Sequence, residues 1–231
     1  MCGIFGFITR QGQGPDVARL RRLAVITQAR GEHAFGLAWV GADGPIQTFK
    51  RPGPAADHLG ALECCRKAMV VVGHCRRATH GSPADHRNNH PHRAGRGYLV
   101  HNGVVFNHRE LTHRYGLSPQ GECDSEILGL LLARCPGGLL QRSAWTANQA
   151  CGDLALLGVW RRLARLLVVR RGRPLHFGEG RDGYYFASLP EGLPGRAAPV
   201  VDCCTRVLTF ADGALRLEGD RIGAGADRGL P

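Results

Sequence analysis

The chain has 231 residues, 43% of them hydrophobic, and a formal net charge of +11. These values are ordinary for one globular domain that buries its own core. No basic stretch followed by an apolar run marks an export signal, and no segment reaches the roughly 18 apolar residues that span a bilayer. We therefore expect a soluble, cytoplasmic protein without a membrane span.

The apolar pattern of the first half predicts alternating strands and helices. Residues 2–9, CGIFGFIT, form an opening strand that ends at a Gly-rich turn. Pro15 and Asp16 then introduce a helix whose apolar residues recur every three or four positions. Further along, we expect strands at 36–40 and 46–49, a short helix at 58–67 and a buried strand at 69–73.

The second half predicts two more helices and then mainly strands. Asn107 is placed to cap one helix, and Asp124 with Ser125 to open the apolar helix 127–134. Later strands are expected at 154–160, 166–170 and 184–188, with a hairpin of 207–210 and 214–217 around Asp212-Gly213. These elements predict an α+β fold with two packed sheets. It forms one domain at 1–218, followed by a flexible tail at 219–231.

Cysteine number and spacing favour free thiols. An odd count in a chain without an export signal favours reduced, mostly buried cysteines over disulfides. The adjacent pairs 64–65 and 203–204 lack the spacing of zinc ligands, and no C-x-x-C pair occurs. The nine positions are Cys2, Cys64, Cys65, Cys75, Cys123, Cys135, Cys151, Cys203 and Cys204.

The positive charge is almost entirely arginine, because lysine occurs only at positions 50 and 67. A cationic face binds nucleic acid by releasing counterions from phosphates. The arginines are scattered along the chain instead of forming one basic run. Direct nucleic-acid binding is therefore less favoured than an acidic partner protein or no electrostatic partner at all.

A cysteine at position 2 has special chemistry if Met1 is removed. Methionine aminopeptidases remove the first methionine when the second residue is small. The new N-terminus then carries a thiol and an α-amine on one residue. An α-amine titrates near pH 8 and a thiol near pH 8.5, so the amine can accept the thiol proton. By position alone, a small buried apolar residue is the more common explanation of Cys2.

The opening residues Met1 to Gly6 resemble, residue for residue, the start of the class II glutamine amidotransferases, which are N-terminal-nucleophile hydrolases. The resemblance covers most of the chain, and it is strongest to the glutaminase domain of glucosamine-6-phosphate synthase. It implies a four-layer αββα sandwich with two mostly antiparallel sheets between helices. Five further blocks follow in the family's order: Arg30-Gly31 with Gly36, residues 73–81, Asn89-His90-Pro91, residues 101–105 with Asn107, and Asp124-Ser125-Glu126.

The resemblance assigns the reaction to a few residues. Cys2 is the nucleophile, and Asn102 and Gly103 supply the oxyanion hole through a side-chain amide and a backbone N–H. Arg76 binds the substrate carboxylate, while Asp124 receives its ammonium. The binding residues also have ordinary structural explanations. Asn102-Gly103 could form a tight turn, Arg76 could be a solvated surface arginine, and Asp124 could cap a helix.

Three further residues complete the predicted substrate site. By resemblance, Thr79 and His80 line the pocket, and Arg30 steadies the oxyanion-hole asparagine. The chain departs from the family after Arg30-Gly31, where Glu32-His33 replaces an acidic residue before a small one, so the local loop is expected to differ.

No metal and no cofactor are predicted. Amide hydrolysis needs neither, because the amine and the oxyanion donors already supply a base and charge stabilisation. Histidines do concentrate between positions 74 and 113, and His86, His90 and His92 have a spacing that a metal could use. His90 and His101 lie inside family blocks, where packed, hydrogen-bonded histidines are the favoured interpretation.

The leading hypothesis is a glutaminase that passes ammonia to an acceptor synthase on a separate chain, since family members normally carry that acceptor as a second domain. A second hypothesis is a stand-alone hydrolase of a γ-glutamyl amide or peptide. A third is a catalytically inactive regulatory subunit, or one that associates with nucleic acid. The sequence leaves the acceptor, the partner and the oligomeric state open.

Overall fold

The computed structural model describes residues 1–223 and confirms the α+β class. Strands dominate both halves of the described chain. They are β1 (Gly3–Thr9), β2 (Ala34–Val40), β3 (Gln47–Pro52), β4 (Val70–Arg76), β5 (His92–Ala94), β6 (Gly97–Gly103), β7 (Leu154–Trp160), β8 (Ala164–Arg171), β9 (His176–Glu179), β10 (Gly183–Ala187), β11 (Ala198–Pro199), β12 (Cys204–Ala211) and β13 (Ala214–Arg221).

Helices connect these strands and lie outside the sheets. None of the helices within residues 1–223 combines the length and apolar character needed to cross a bilayer. The α-helices are α1 (Val17–Gln28), α2 (His108–Arg114), α3 (Glu126–Arg134) and α4 (Leu139–Gln149), with 3-10 helices at Ala55–Cys65 and His86–Asn88.

The strands form two antiparallel sheets. The first has the order β11-β9-β10-β1-β4-β2-β3, and the second has the order β13-β12-β8-β7-β6-β5. Strand β1 is central in the first sheet, paired with β4 and β10. Every residue of β1 is buried, as expected for a strand covered on both faces. The residue just before β1, Cys2, is therefore held at one end of a fully buried strand.

Three apolar cores define the four layers, which confirms the predicted αββα sandwich. One core lies between the sheets and contains Ile4 and Val100. A second, containing Phe5 and Leu20, packs α1 against the first sheet, and a third packs α3 and α4 against the second sheet. Neighbouring residues of β1 thus face different cores, because side chains alternate along a strand.

Local signals explain the start of the first helix. The side chain of Asp16 accepts hydrogen bonds from the backbone N–H groups of Ala18 and Arg19, so it caps α1 as predicted. Among the elements from residue 34 to residue 76, the predicted order of strand, strand, helix and strand is confirmed, although the helix is 3-10 in type.

Two predicted caps are wrong. Asn107 precedes α2 but its side chain bonds to the backbone of Gln149 and Cys151, joining two loops instead. The carboxylate of Asp124 accepts from the N–H of Val105 and does not cap α3. Both side chains bond instead to backbone groups of other segments of the chain.

The C-terminal region also differs from the prediction. Strands β12 and β13 pair around Asp212-Gly213 as predicted, but β13 continues to Arg221, and Ile222 is buried. Residues 219–221, predicted as the start of a flexible tail, are thus hydrogen-bonded to β12. The remainder of the predicted tail, residues 224–231, lies outside the described residues.

Candidate active site

The site begins at Cys2, beside the end of β4. The pairing of Gly3 with Cys75 brings Cys2 next to the peptide between Arg76 and Arg77. The Cys2 Sγ atom lies 3.4 Å from both the backbone nitrogen and the carbonyl oxygen of Arg77. The nitrogen can donate to a thiolate, which favours the reactive form of the sulfur.

Gly31 allows this arrangement by close packing. A Cβ atom at position 31 would lie 2.5 Å from both the carbonyl carbon of Arg76 and the nitrogen of Arg77. Any side chain there would displace the peptide that contacts Cys2. The Arg30-Gly31 block thus supports the position of Cys2 through backbone packing, which the sequence alone did not reveal.

Several charges act on the Cys2 thiol. Burial raises the pKa of Cys2 from its ordinary value, while the Arg77 backbone hydrogen bond and the charge of Arg76 lower that pKa. The charge of Asp124 raises it. Arg76 and Asp124 are therefore both close enough to Cys2 to influence its ionisation.

Side-chain alternation directs Cys2, His74, Arg76 and Asn102 into the same space. In β1 and β4, Ile4, Val70 and Val72 face the core between the sheets, and in β6 Val100 does so. Residues two positions further along a strand face the same side. The side chains of Cys2 and Asn102 therefore project into the inter-sheet space, from opposite sheets.

Hydrogen bonds show that these strand ends meet. The Nε2 atom of His74 lies 3.1 Å from the carbonyl oxygen of His101, which directly precedes Asn102. His74 pairs with Ile4, two residues after Cys2. The ring of His101 points the other way, with Nδ1 2.8 Å from Ser125 Oγ at the start of α3. The start of β1 and the end of β6 thus lie at the same end of the sandwich.

Asn102 is buried and its amide is unused. Its side chain is 1% exposed, and Nδ2 has no hydrogen-bond partner among the described residues. Buried donors are nearly always paired, so an orphan amide facing an active space calls for an acceptor from outside the chain. An oxyanion is such an acceptor.

Gly103 ends β6 at a point where only glycine fits. A Cβ atom there would lie 2.1 Å from the carbonyl oxygen of Asp153 and 2.5 Å from Nε2 of His101. Asn102-Gly103 is consequently not a tight turn, because both residues still pair with β7. The ordinary structural explanation of this pair is therefore wrong.

Arg76 is buried and holds the following loop. Its Nη1 donates to Asn89 Oδ1 at 2.9 Å, and its Nη2 donates to the carbonyls of His80 and Gly81. The solvated surface arginine that the sequence allowed is therefore wrong. The loop that Arg76 holds carries Thr79 and His80, both of which are exposed.

Asp124 is buried beside the same space. Its Oδ2 accepts from the N–H of Val105 at 2.7 Å, which fixes the carboxylate. Its Oδ1 makes only a long contact of 4.0 Å with Cys123 Sγ among the described hydrogen bonds. One carboxylate oxygen is thus held by the chain, and the other has room for a further donor.

Arg30 contacts the backbone of Cys2. Its Nε donates to the carbonyl oxygen of Cys2 at 2.8 Å, whereas no hydrogen bond between Arg30 and Asn102 occurs in the described part of the chain. The Sδ atom of Met1 lies 3.8 Å from Arg30 Nη2 and 3.2 Å from Arg173 Nη1. Met1, 60% exposed, thus covers two arginines next to Cys2.

Sequence reasoning assigned no role in the site to His33, Ser125 or Arg173. His33 stands where the chain departs from the family, and its Nδ1 lies 3.0 Å from the N–H of Ala78, so it shapes the loop of Thr79 and His80. Ser125 orients His101. The departure at His33 was a signal in the sequence, but its partner lies 45 residues away.

The cysteines are all free, but only four are buried: Cys65, Cys75, Cys123 and Cys204. The expectation of mostly buried thiols is thus wrong, with Cys64 and Cys151 exposed. Near the site, His90, His92 and Cys123 form a cluster of atoms able to bind a metal. The histidine at position 86, by contrast, is exposed.

Comparison with known proteins gives consistent results. No family model matches the chain. The chain is 37% identical over 207 residues to the glutamine–fructose-6-phosphate aminotransferase (isomerizing) of Symbiobacterium thermophilum, covering 84% of this chain and 32% of that protein. The corresponding protein of Aquifex aeolicus is 34% identical over 204 residues, with 84% and 33% covered. The chain spans about a third of the length of these relatives.

Solved structures share the fold. The allosteric regulatory enzyme of purine biosynthesis superposes with a TM-score of 0.76 at 22% identity, covering 94% of this chain and 48% of that chain. A glutamine aminotransferase class-II domain protein from Silicibacter pomeroyi gives a TM-score of 0.62 at 18% identity, covering 96% and 99%.

The two facing sheets, with a cysteine just before a central strand, have the fold of the N-terminal-nucleophile hydrolases. Within that class, the chain belongs to the class II glutamine amidotransferases, as the sequence predicted.

Proposed function

We propose that this domain hydrolyses the side-chain amide of glutamine to glutamate and ammonia. The observation that carries the proposal is the unpaired Nδ2 of buried Asn102. By strand alternation, this amide and the Cys2 side chain are expected to face one space from opposite sheets. A nucleophile facing a preorganised donor is the minimum requirement for acyl transfer. The chain's similarity to aminotransferases whose names specify glutamine also supports glutamine as the substrate.

The first step forms a thioester. After removal of Met1, the free amine of Cys2 takes the thiol proton, and the sulfur attacks the amide carbon of glutamine. The carbonyl oxygen becomes an oxyanion that accepts from Asn102 Nδ2 and the N–H of Gly103. As the tetrahedral intermediate collapses, the C–N bond breaks, and the protonated amine returns its proton to the leaving ammonia.

Water completes the reaction. It attacks the thioester carbon while the amine of Cys2 accepts its proton, and the C–S bond breaks to release glutamate. The sulfur regains its proton. The same oxyanion donors serve both steps, since both pass through a tetrahedral intermediate.

Charge complementarity supports the amino acid as substrate. Arg76 and Asp124 carry opposite charges, and both influence the Cys2 thiol. We assign Arg76 to the substrate α-carboxylate and Asp124, through its less occupied Oδ1, to the α-ammonium. Thr79 and His80 lie on the loop held by Arg76 and line the entrance, while Arg30 holds the carbonyl of Cys2.

Ammonia is assigned to an acceptor synthase. The relatives are aminotransferases, and this chain spans about a third of their length. In this proposal the acceptor docks over the site and shields ammonia from protonation. The competing possibilities are a hydrolase of γ-glutamyl amides and an inactive regulatory subunit.

The N-terminus provides the first test. Chain processed to expose Cys2 should release glutamate from glutamine, whereas Cys2→Ala and a variant with one extra residue before Cys2 should show no turnover. Cys64→Ala, which removes an exposed thiol far along the chain, is the matched control and should retain full activity. Undiminished activity with a blocked Cys2 amine would overturn the assigned base.

Labelling with the glutamine-like electrophile diazo-oxo-norleucine provides the second test. One adduct on Cys2 is expected, although Cys64 and Cys151 are more exposed. A parallel screen should detect ammonia from glutamine. If glutamine stays intact while a γ-glutamyl amide is cleaved, the hydrolase alternative holds, and failure with both supports the inactive subunit.

A further inference from the structure

A buried group of nitrogen and sulfur atoms lies beside the candidate active site. The side chains of His90, His92 and Cys123 are all buried, and one potential ligand atom from each lies within 4.8 Å of the others. His90 directly precedes Pro91, His92 begins β5, and Cys123 precedes Asp124. The group, here called the His-His-Cys cluster, is thus assembled from two separate segments of the chain.

The cluster contains unpaired polar atoms. Both ring nitrogens of His90 and Nε2 of His92 have no hydrogen-bond partner among the described residues. These side chains are 3% exposed, so bulk water does not satisfy them. Buried polar groups without partners are rare, and a bound water or ion is a standard explanation for such groups. The orphan nitrogens therefore point to a ligand that binds imidazole.

Contacts with neighbouring rings do not give these unpaired nitrogens hydrogen-bond partners. The ring of His74 stacks on His90 with centroids 3.9 Å apart, and the rings of His90 and His92 meet edge to face at 4.4 Å. Ring stacking uses the faces of the imidazoles and leaves their in-plane nitrogen lone pairs free. The nitrogens thus remain able to coordinate a cation.

We propose that the His-His-Cys cluster binds one Zn²⁺ ion. Two imidazole nitrogens and one thiolate are typical zinc ligands, and three protein ligands leave a fourth position for water. Tetrahedral Zn²⁺ with ordinary bond lengths places its ligand atoms roughly 3.3 to 3.6 Å apart. The observed limit of 4.8 Å means that small side-chain movements suffice to close the site.

The positive charge of Lys50 repels a cation in the cluster, which gives the proposal a specific test. The charge of Lys50 acts on both His90 and His92, and its Nζ lies 3.5 Å from the carbonyl oxygen of His86. Arg76 also acts on His92 and Cys123. Removing the charge of Lys50 should therefore strengthen zinc binding, whereas removing the thiol of Cys123 should weaken it.

The position of the cluster connects it to the substrate site. Cys123 Sγ is 4.0 Å from Oδ1 of Asp124, the oxygen assigned to the substrate ammonium. A cation on the Cys123 sulfur would add positive charge beside that carboxylate. The zinc proposal itself does not depend on turnover, because it rests on the histidine and cysteine atoms alone.

Zinc binding should be measured in the Cys2→Ala full chain, where the N-terminal thiol can neither bind metal nor turn over substrate. After treatment with a chelator, titration with Zn²⁺ should show one tight site per chain. Co²⁺ in its place should give a thiolate-to-cobalt charge-transfer band. Cys123→Ser should abolish that band and weaken zinc binding at least tenfold, while Lys50→Gln should tighten binding severalfold.

Matched controls separate this site from surface binding. Cys64→Ser and His86→Gln remove exposed groups of the same types and should leave affinity unchanged. Circular dichroism checks that Cys123→Ser is folded, and Lys50→Gln offers a test in the opposite direction. Unchanged affinity in Cys123→Ser, or no stoichiometric zinc in the parent chain, would overturn the proposal, whatever the outcome of the glutaminase assay.

Discussion

At the scale of single residues, two asparagines from family blocks have opposite roles. Asn102 leaves its Nδ2 unpaired in the inter-sheet space, whereas both polar atoms of the Asn107 side chain bond to backbone groups of the chain. An unsatisfied buried group costs stability, and a satisfied one contributes it. The two residues should therefore separate activity from stability when each is replaced.

We predict that Asn102→Ala lowers kcat for glutamine hydrolysis by about 10²- to 10³-fold, because one oxyanion donor is lost. Its free energy of unfolding should change by less than about 1 kcal/mol, since Nδ2 has no partner to lose. Asn107→Ala is the contrasting control. It should lose about 1 to 3 kcal/mol in urea unfolding and retain kcat. A large stability loss in Asn102→Ala would indicate a structural role instead.

At the scale of elements, strand alternation and helix capping explain much of the architecture. The predicted cap of α1 is present because Asp16 directly precedes the first helical residue, and its carboxylate reaches the next two free N–H groups. The predicted cap by Asp124 is absent because the N–H of Val105 competes for the same carboxylate. Local rules thus hold where no tertiary partner intervenes.

We predict that Asp16→Ala lowers the free energy of unfolding by about 1 kcal/mol, through the loss of two hydrogen bonds to N–H groups at the start of α1. Urea denaturation monitored by circular dichroism measures this change. Asp43→Ala, at an exposed position, should change stability by less than about 0.5 kcal/mol. Equal effects of the two substitutions would contradict the capping role.

The buried histidine His101 predicts acid sensitivity. Burial lowers the pKa of His101 to about 4, whereas an unfolded histidine titrates near pH 6.5. The folded form keeps His101 neutral, so its stabilising contribution is complete above pH 6.5 and is lost as the pH falls toward 4. Between pH 7 and pH 5, this one group should remove about 2 kcal/mol of stability.

Urea midpoints at pH 7 and pH 5, measured with a chelator present, should reveal this loss. His101→Gln lacks the titrating group and should show a smaller difference between the two pH values. His86→Gln, which alters an exposed histidine, should behave like the parent chain. If His101→Gln and the parent lose equal stability, the buried ring is not responsible.

At the scale of the whole molecule, folding gathers charge that is scattered in the sequence. A groove of about 1020 Å³ at the N-terminal end of β6 is lined by six arginines, and among the described residues none of them takes part in an ion pair. The groove lies at the opposite end of β6 from Asn102. Its arginines are Arg93, Arg96, Arg142, Arg161, Arg162 and Arg165.

We predict that this groove dominates binding to polyanions. Arg161→Gln combined with Arg162→Gln should lower the salt concentration that elutes the protein from immobilised heparin, because clustered charges act together on one polyanion. Arg22→Gln with Arg109→Gln removes the same charge from exposed positions outside the groove. An equal shift in both double variants would mean that net charge alone governs binding.

The sequence by itself determined the fold class and most strands, and it predicted Cys2 as the nucleophile. The continuous apolar run of β1 and the Asp16 cap are local signals, and the resemblance at Met1 to Gly6 is a contiguous pattern. Helix α4 was missed, because its apolar face is interrupted by polar residues that bond within the fold, such as Ser143 to Thr205. Short-range signals were sufficient wherever a residue's partners lie within its own element.

Only the tertiary structure decided which side chains share a space. Strand alternation assigns Cys2 and Asn102 each to a face of its own sheet. Their meeting depends on the packing of the two sheets, because the two residues lie about a hundred positions apart in the chain. The same holds for Cys123 beside His90 and His92, and for the six arginines of the groove. Such long-range neighbours follow from burying a common apolar core, and no local pattern in the sequence specifies them.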